Sequence, residues 1–325
     1  MNSSTSSSKT GGAGMLAGPE WKVLLSLALL LLGTEVVLRL NERRLSVDVD
    51  HIRSAPRLAG EITQDAKALP GVLKILFMGN SSIRRGIDAK VLEEEFRVKY
   101  GRAVKSYFFY PDGGNIVAWR WAWRRYFAAP GCRPDLVVIC GGASHFDDGK
   151  LDPRLLASYY VSAEDSWDCA WRQLSGAEER LEFFAAEASL SYASRKRVAR
   201  RVMDVLMPHN REVLFEMVSQ AEKNAAAHTK APRTQAPTSE ALRALLQDLR
   251  GKGLKAAIVA VPNLNGYEVP PQRVRTIAEA GAAFIDLRTV PGIDAAHYFD
   301  KAHLDAAGAV IFTRALCAAL QEAAH

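Results

Sequence analysis

The sequence has little cysteine, no clustered histidine and no glycine-rich phosphate motif, and each shortage removes a class of function. Four cysteines, Cys132, Cys140, Cys169 and Cys317, are too few and too scattered to staple 325 residues, so a disulfide scaffold is excluded and they read as buried thiols. Seven histidines include no H-x-x-x-H spacing, and neither a metal nor a cofactor is expected. No P-loop, dinucleotide fingerprint or zinc finger is present. The charge excess is small, 42 Lys and Arg against 36 Asp and Glu, and it is spread along the chain, so no nucleic-acid partner is expected. An apolar share of 48% is too high for a disordered chain. The length fits two average domains or one α/β domain with an insertion.

Only one long hydrophobic run occurs. Residues 1–20 are rich in Ser, Thr and Gly and read as a disordered tail. Residues 21–40, WKVLLSLALLLLGTEVVLRL, carry no charge between Val23 and Thr34, and as a helix they reach roughly 30 Å, the thickness of a bilayer core. No small-x-small cleavage site follows, so the span reads as a retained signal anchor. Arg39, Arg43 and Arg44 follow it, while only Lys9 and Lys22 precede it, a bias that by itself favours a cytoplasmic body. Residues 41–72 are polar, contain Pro56 and Pro70, and read as a tether.

The body begins at residue 73. LKILFMG, DLVVICGG and KAAIVAVP, starting at Leu73, Asp135 and Lys255, are short apolar runs ending in Gly or Pro, the pattern of buried parallel strands. Weaker strands are expected at 103–109 and 283–287. Helical patterns at 89–100, 238–251, 271–280 and 305–323 lie between and after them. This alternation predicts a three-layer, doubly wound parallel sheet of α/β class, flavodoxin-like in outline. Residues 149–237 interrupt it with a mostly helical insertion ending in the polar linker HTKAPRTQAPTS, far beyond an ordinary connection.

Ligands of such sheets bind at the carboxyl ends of strands. There the chain places Gly79-Asn80-Ser81-Ser82 after the first strand and Gly141-Gly142-Ala143-Ser144-His145 after the third, with Asp300-Lys301-Ala302-His303 before the last helix. A serine nucleophile needs a base, and the base needs an orienting carboxylate. All three occur on these loops. His145 and His297 read as structural or substrate-lining.

These blocks resemble the SGNH, or GDSL-like, hydrolase superfamily. FMGNSSIRRGID carries Gly79-Asn80-Ser81 in place of Gly-Asp-Ser, and YFDKAHLDAAGA carries the Asp-x-x-His block as Asp300 and His303. Together with the N-terminal anchor, the wording is similar to the membrane-anchored branch associated with O-acetylation of exported polysaccharides. The resemblance implies Ser81 as nucleophile, His303 as base and Asp300 as its carboxylate. It implies an oxyanion hole from the Ser81 N–H, a glycine of YPDGGN (Gly113 or Gly114) and the third block, where Ser144 stands in place of the family asparagine. Asn80, Asn115 and His145 are the expected substrate contacts. A carbohydrate acceptor, an acyl donor and a multi-span acyl-carrying membrane protein are the implied partners, and the implied location of the body is outside the cytoplasmic membrane. Esterase and O-acetyltransferase both fit, and the Ser144 departure leaves a non-catalytic SGNH-like scaffold as the alternative.

Two further runs stand out. Residues 119–127, WRWAWRRYF, read as an amphipathic helix that turns some rings inward and lets its arginines reach water, with sugar stacking as the alternative. Arg195, Lys196, Arg197, Arg200 and Arg201 read as a solvated helix face, with an anionic membrane or polymer surface as the alternative.

Overall fold

The computed structural model describes residues 19–45, 47–142, 144–207 and 239–323, with His209, Val213 and Met217 between the last two stretches. Of the tail expected at 1–20, residues 1–18 lie outside the described residues, as does the linker HTKAPRTQAPT, while Pro19 and Glu20 are helical because they open the helix of the apolar run. Helix α1 (Pro19–Asn41) holds the apolar run. Among the described residues it is the one helix long and apolar enough to cross a membrane, and none of its apolar window is buried.

The expected tether is not one. Its residues form α2 (Val47–Arg53) and α3 (Ala55–Ala68), whose Val49, Ile52, Ala55, Ala59 and Ile62 are buried in the main core. Those five recur every three or four positions, the spacing of one helix face. Pro56 sits in the first turn of α3, where a missing N–H has no helical partner to lose, so it starts the helix rather than breaking one.

Five parallel strands follow: β1 (Leu73–Met78), β2 (Val104–Phe109), β3 (Leu136–Gly141), β4 (Lys255–Ala260) and β5 (Ala283–Asp286), in the order β2-β1-β3-β4-β5. Ile75, Phe77, Val138 and Val259 face one helical layer, and Leu76, Met78, Val137 and Ile258 the other. Burial on both faces explains why the strands read as unbroken apolar runs. The first layer comprises α4 (Ser81–Gly86), α5 (Ala89–Tyr100) and the final helix; the second holds α2, α3 and α6 (Ile116–Ala122).

The insertion contributes α7 (Ser166–Gln173), α8 (Ala177–Ala188) and α9 (Leu190–Leu206). Its Cys169, Phe183, Ala186 and Leu190 join the same core as the sheet, so this part of the insertion extends the second layer. After it come α10 (Glu240–Gly251), α11 (Pro271–Glu279) and α12 (Ala306–Ala323). All four cysteines are free and buried. The expected amphipathic helix at 119–127 turns its rings inward and leaves Arg124 exposed, while Arg120 is buried with the rings. Trp119, Trp121, Trp123 and Phe127 are all buried, because α10 lies against α6 and residues 156–160 against it as well, and no tryptophan of the run is left for sugar stacking.

Candidate active site

The order of strands changes direction between β1 and β3, and the chain emerging from their carboxyl ends forms the crevice where a ligand of this architecture sits. β1 is followed by Gly79, where an added Cβ would meet the Cys140 carbonyl and the Ile83 side chain at 2.9 Å each. Only glycine lets the turn lie that close to β3. Asn80 then caps α4, its Oδ1 accepting from the Ser82 N–H at 3.0 Å. Its Nδ2 reaches the Gly114 carbonyl at 3.4 Å, tying this turn to the one after β2. Ser81 is the first residue of α4, so its own N–H has no partner within the helix.

On the far side, residues 294–304 form a closed loop. Tyr298 bridges Leu304, Phe299 N–H donates to the His303 carbonyl at 2.8 Å, and Asp305 N–H donates to that of His297 at 2.9 Å. Asp300 Oδ1 accepts from the Ala302 and His303 N–H groups at 2.8 and 2.9 Å. The same carboxylate meets His303 Nδ1 at 2.8 Å. His303 Nε2 lies 2.8 Å from Ser81 Oγ. An ionised carboxylate only accepts, so Nδ1 carries the proton and Nε2 is the acceptor facing the serine hydroxyl. Burial pulls the Asp300 carboxyl upward, but the Ala302 N–H and the bond and charge of His303 outweigh it, holding the group below the usual carboxylate range.

The other expected site residues take structural places. Gly114 donates its N–H to the Pro111 carbonyl at 3.2 Å and accepts from Asn80, so its N–H is already occupied and it is no oxyanion donor here. Asn115 caps α6, accepting from Val117 and Ala118 at 3.1 and 3.3 Å, and its Nδ2 donates to the Gly149 carbonyl. Engaged at both ends, it braces the loops, and Asn80 does the same. His145 Nδ1 accepts from the Gly142 N–H at 2.9 Å, and its carbonyl accepts from Ile116 N–H at 2.7 Å. Burial lowers its pKa, and the ring closes the turn after β3. Ser144 is exposed on that turn. His297 pairs with Asp294 at 2.8 Å and secures the base of the 294–304 loop.

Two residues that sequence reasoning passed over hold the rim. Arg84 pairs with Asp112 at 3.1 Å, and the Asp112 N–H is itself held by Asp48 at 2.8 Å. Arg85 lies over the ring of Phe299, 4.3 Å from its centroid, a cation–π contact beside Asp300. Adjacent arginines of α4 therefore grip the loops on both sides of Ser81. Their only sequence signal was position, directly after Ser81-Ser82-Ile83. A cavity of about 530 Å³ lined by Lys74, Arg102, Arg133 and Asp135 lies at the amino ends of the strands, away from this constellation.

No protein-family model matches the chain, and no curated protein matches it. Solved structures do. A variant of an acetyl xylan esterase from Geobacillus stearothermophilus is similar over 77% of this chain and 94% of its own, with 14% identity and a TM-score of 0.36. A catalytic mutant of that esterase gives 16% identity and 0.38 over 77% and 93%. A candidate acylhydrolase from Bacteroides fragilis gives 12% identity and 0.35 over 81% and 95%. At TM-scores below 0.5 the chemistry of this chain is read from its own Ser81, His303 and Asp300.

Proposed function

We propose that the protein is a membrane-anchored SGNH-type serine esterase or O-acetyltransferase acting on a carbohydrate. The observation that carries this reading is the continuous line from Ser81 Oγ through His303 to Asp300, with 2.8 Å at each step. Ser81 Oγ attacks the acyl carbonyl while His303 Nε2 takes its proton, and Asp300 stabilises the imidazolium. The oxyanion forms opposite the free N–H of Ser81 at the start of α4. His303 then returns the proton to the departing alkoxide, leaving the acyl group on Ser81. Water completes hydrolysis; a sugar hydroxyl in its place completes transfer, and exclusion of water decides between them.

Helix α1 supports anchoring, since residues 23–34 are uncharged, largely apolar and exposed. In this reading the body lies on the outer side of the cytoplasmic membrane, and a multi-span membrane protein delivers the acyl group for an exported polysaccharide.

The test is mass spectrometry of the full chain in detergent after exposure to an activated acetyl ester, beside Ser81→Ala. A gain of about 42 Da on Ser81, the acetyl increment of covalent catalysis, absent from the variant, supports the reading. A folded protein that gains nothing would favour a non-catalytic scaffold.

A further inference from the structure

Helix α1 first touches the rest of the protein at Glu35. Residues 20–34 are exposed, whereas Glu35, Leu38 and Glu42, on one helical face, are covered. The Glu35 carboxylate accepts from the N–H groups of Leu190 and Ser191 at 2.9 Å each, and from the hydroxyls of Ser191 and Ser189 at 2.8 and 3.2 Å. It thus caps the start of α9 from outside, and a carboxylate inside an otherwise apolar run is satisfied by the helix end it holds.

The register of the two helices follows. Arg201 donates to the carbonyls of Arg44 and Leu45 at 3.0 and 3.3 Å. From Glu35 to Arg44 is a rise of about 14 Å, and from Leu190 to Arg201 about 16 Å, so α9 runs beside the end of α1 in the same direction. The α8–α9 corner therefore meets α1 roughly 9 Å short of its end at Asn41, at the level where the uncharged stretch stops.

The surface beside that corner is aromatic. Ser166 at the start of α7 bonds Glu187, two residues before Ser189. Next to it Trp167 is 66% exposed and Trp171 48%; their rings meet edge to face at 5.4 Å, and Trp167 also meets Phe184 on α8 at 6.0 Å. Further along α9 stand the exposed Lys196, Arg200 and Arg201, the last two at the level of Arg44. Along the axis of α1 the order is apolar helix, aromatic face, then cations, the order of hydrocarbon, interface and anionic headgroup.

Resting on the reading of α1 as a membrane span, we infer that Glu35 keys this helix to the insertion so that the α7–α8 face carrying Trp167 and Trp171 seats on the lipid surface. The insertion is then a second membrane contact, which fixes the height and tilt of the body above the bilayer. A free linker between anchor and body would do neither.

The test uses the full chain in vesicles of phosphatidylcholine with phosphatidylglycerol, carrying an environment-sensitive fluorophore on Trp167→Cys. The native cysteines are all buried, so labelling is selective. Parallel probes stand on Leu29→Cys in α1 and Val98→Cys on α5. Expected are blue-shifted emission and quenching by spin-labelled lipid at 29 and 167, but not at 98, and loss of the effect at 167 alone in Glu35→Ala. Quenching at 29 without quenching at 167 overturns the seating. A 167 probe still quenched in Glu35→Ala overturns the keying. Absence of quenching at both sites overturns the membrane reading itself, and with it the seating. Shielding of 167 by a soluble polysaccharide but not by lipid reassigns the face to a polymer and overturns the proposal.

Discussion

His303 Nε2 stands 2.8 Å from Ser81 Oγ, although 222 positions separate them in the chain. The approach is possible because β1 delivers Ser81 to the carboxyl edge of the sheet while the 294–304 loop holds His303 above it. Nothing local to either residue sets that distance.

Replacing Asp300 by Asn tests the orientation of the base. The amide would present a donor to Nδ1, driving the proton to Nε2, where it can no longer accept from Ser81. Hydrolysis of an activated acetyl ester is expected to fall about 10⁴-fold with KM little changed, as in other serine triads. Steady-state kinetics beside a melting curve check this; a loss of tenfold or less would remove Asp300 from the proposed mechanism.

Asn80 does two things, and they can be separated. Asn80→Ala removes the cap of α4 and is expected to cost roughly 0.5–2 kcal/mol of stability. Asn80→Ser keeps an acceptor for the Ser82 N–H but has no reach to the Gly114 carbonyl. Stability should largely return in the serine variant while the acylation rate stays low, since the turn bearing Ser81 is no longer tied to the β2 loop. Recovery of rate together with stability in chemical denaturation and single-turnover assays would show that the cap alone matters.

His145 makes stability depend on pH. Its Nδ1 must be unprotonated to accept from Gly142, and burial holds its folded-state pKa below the ordinary value. The unfolded chain therefore takes up the proton first, and the stabilisation, present above the unfolded value of about 6.5, is lost as pH falls below it. His51 is shifted the same way, by burial and then by the charge of Arg84. Asp300 adds a contribution of the usual carboxylate sign, lost at more acidic pH as its lowered folded pKa is crossed. Melting temperatures measured from pH 8 to pH 5 should fall, and the fall should be shallower in His145→Gln, whose amide oxygen accepts the same N–H. An unchanged slope would assign the effect to other groups.

Much of the architecture was written locally. Strands buried on both faces read as unbroken apolar runs, and helices α5, α10, α11 and α12 lie within a residue or two of the periodic segments that predicted them. Helices α2 and α3 were misread because polar composition and prolines outweighed a five-residue apolar stripe. The tryptophan run turns its rings inward and leaves Arg124 exposed, as its pattern indicates, and only the burial of Arg120 depends on elements that pack over it from elsewhere in the chain.

By itself, then, the sequence determined the parallel α/β class, the apolar α1 and the loops carrying Ser81, Asp300 and His303, because strand burial, helix periodicity and turn chemistry are properties of neighbours in the chain. Tertiary structure alone decided that Gly114 and Asn115 brace the loops, that Arg84 and Arg85 grip the rim, and that Glu35 caps a helix about 155 residues away. Each of these depends on which hydrogen-bonding group another segment presents, and that partner is chosen by packing at a distance no local pattern records.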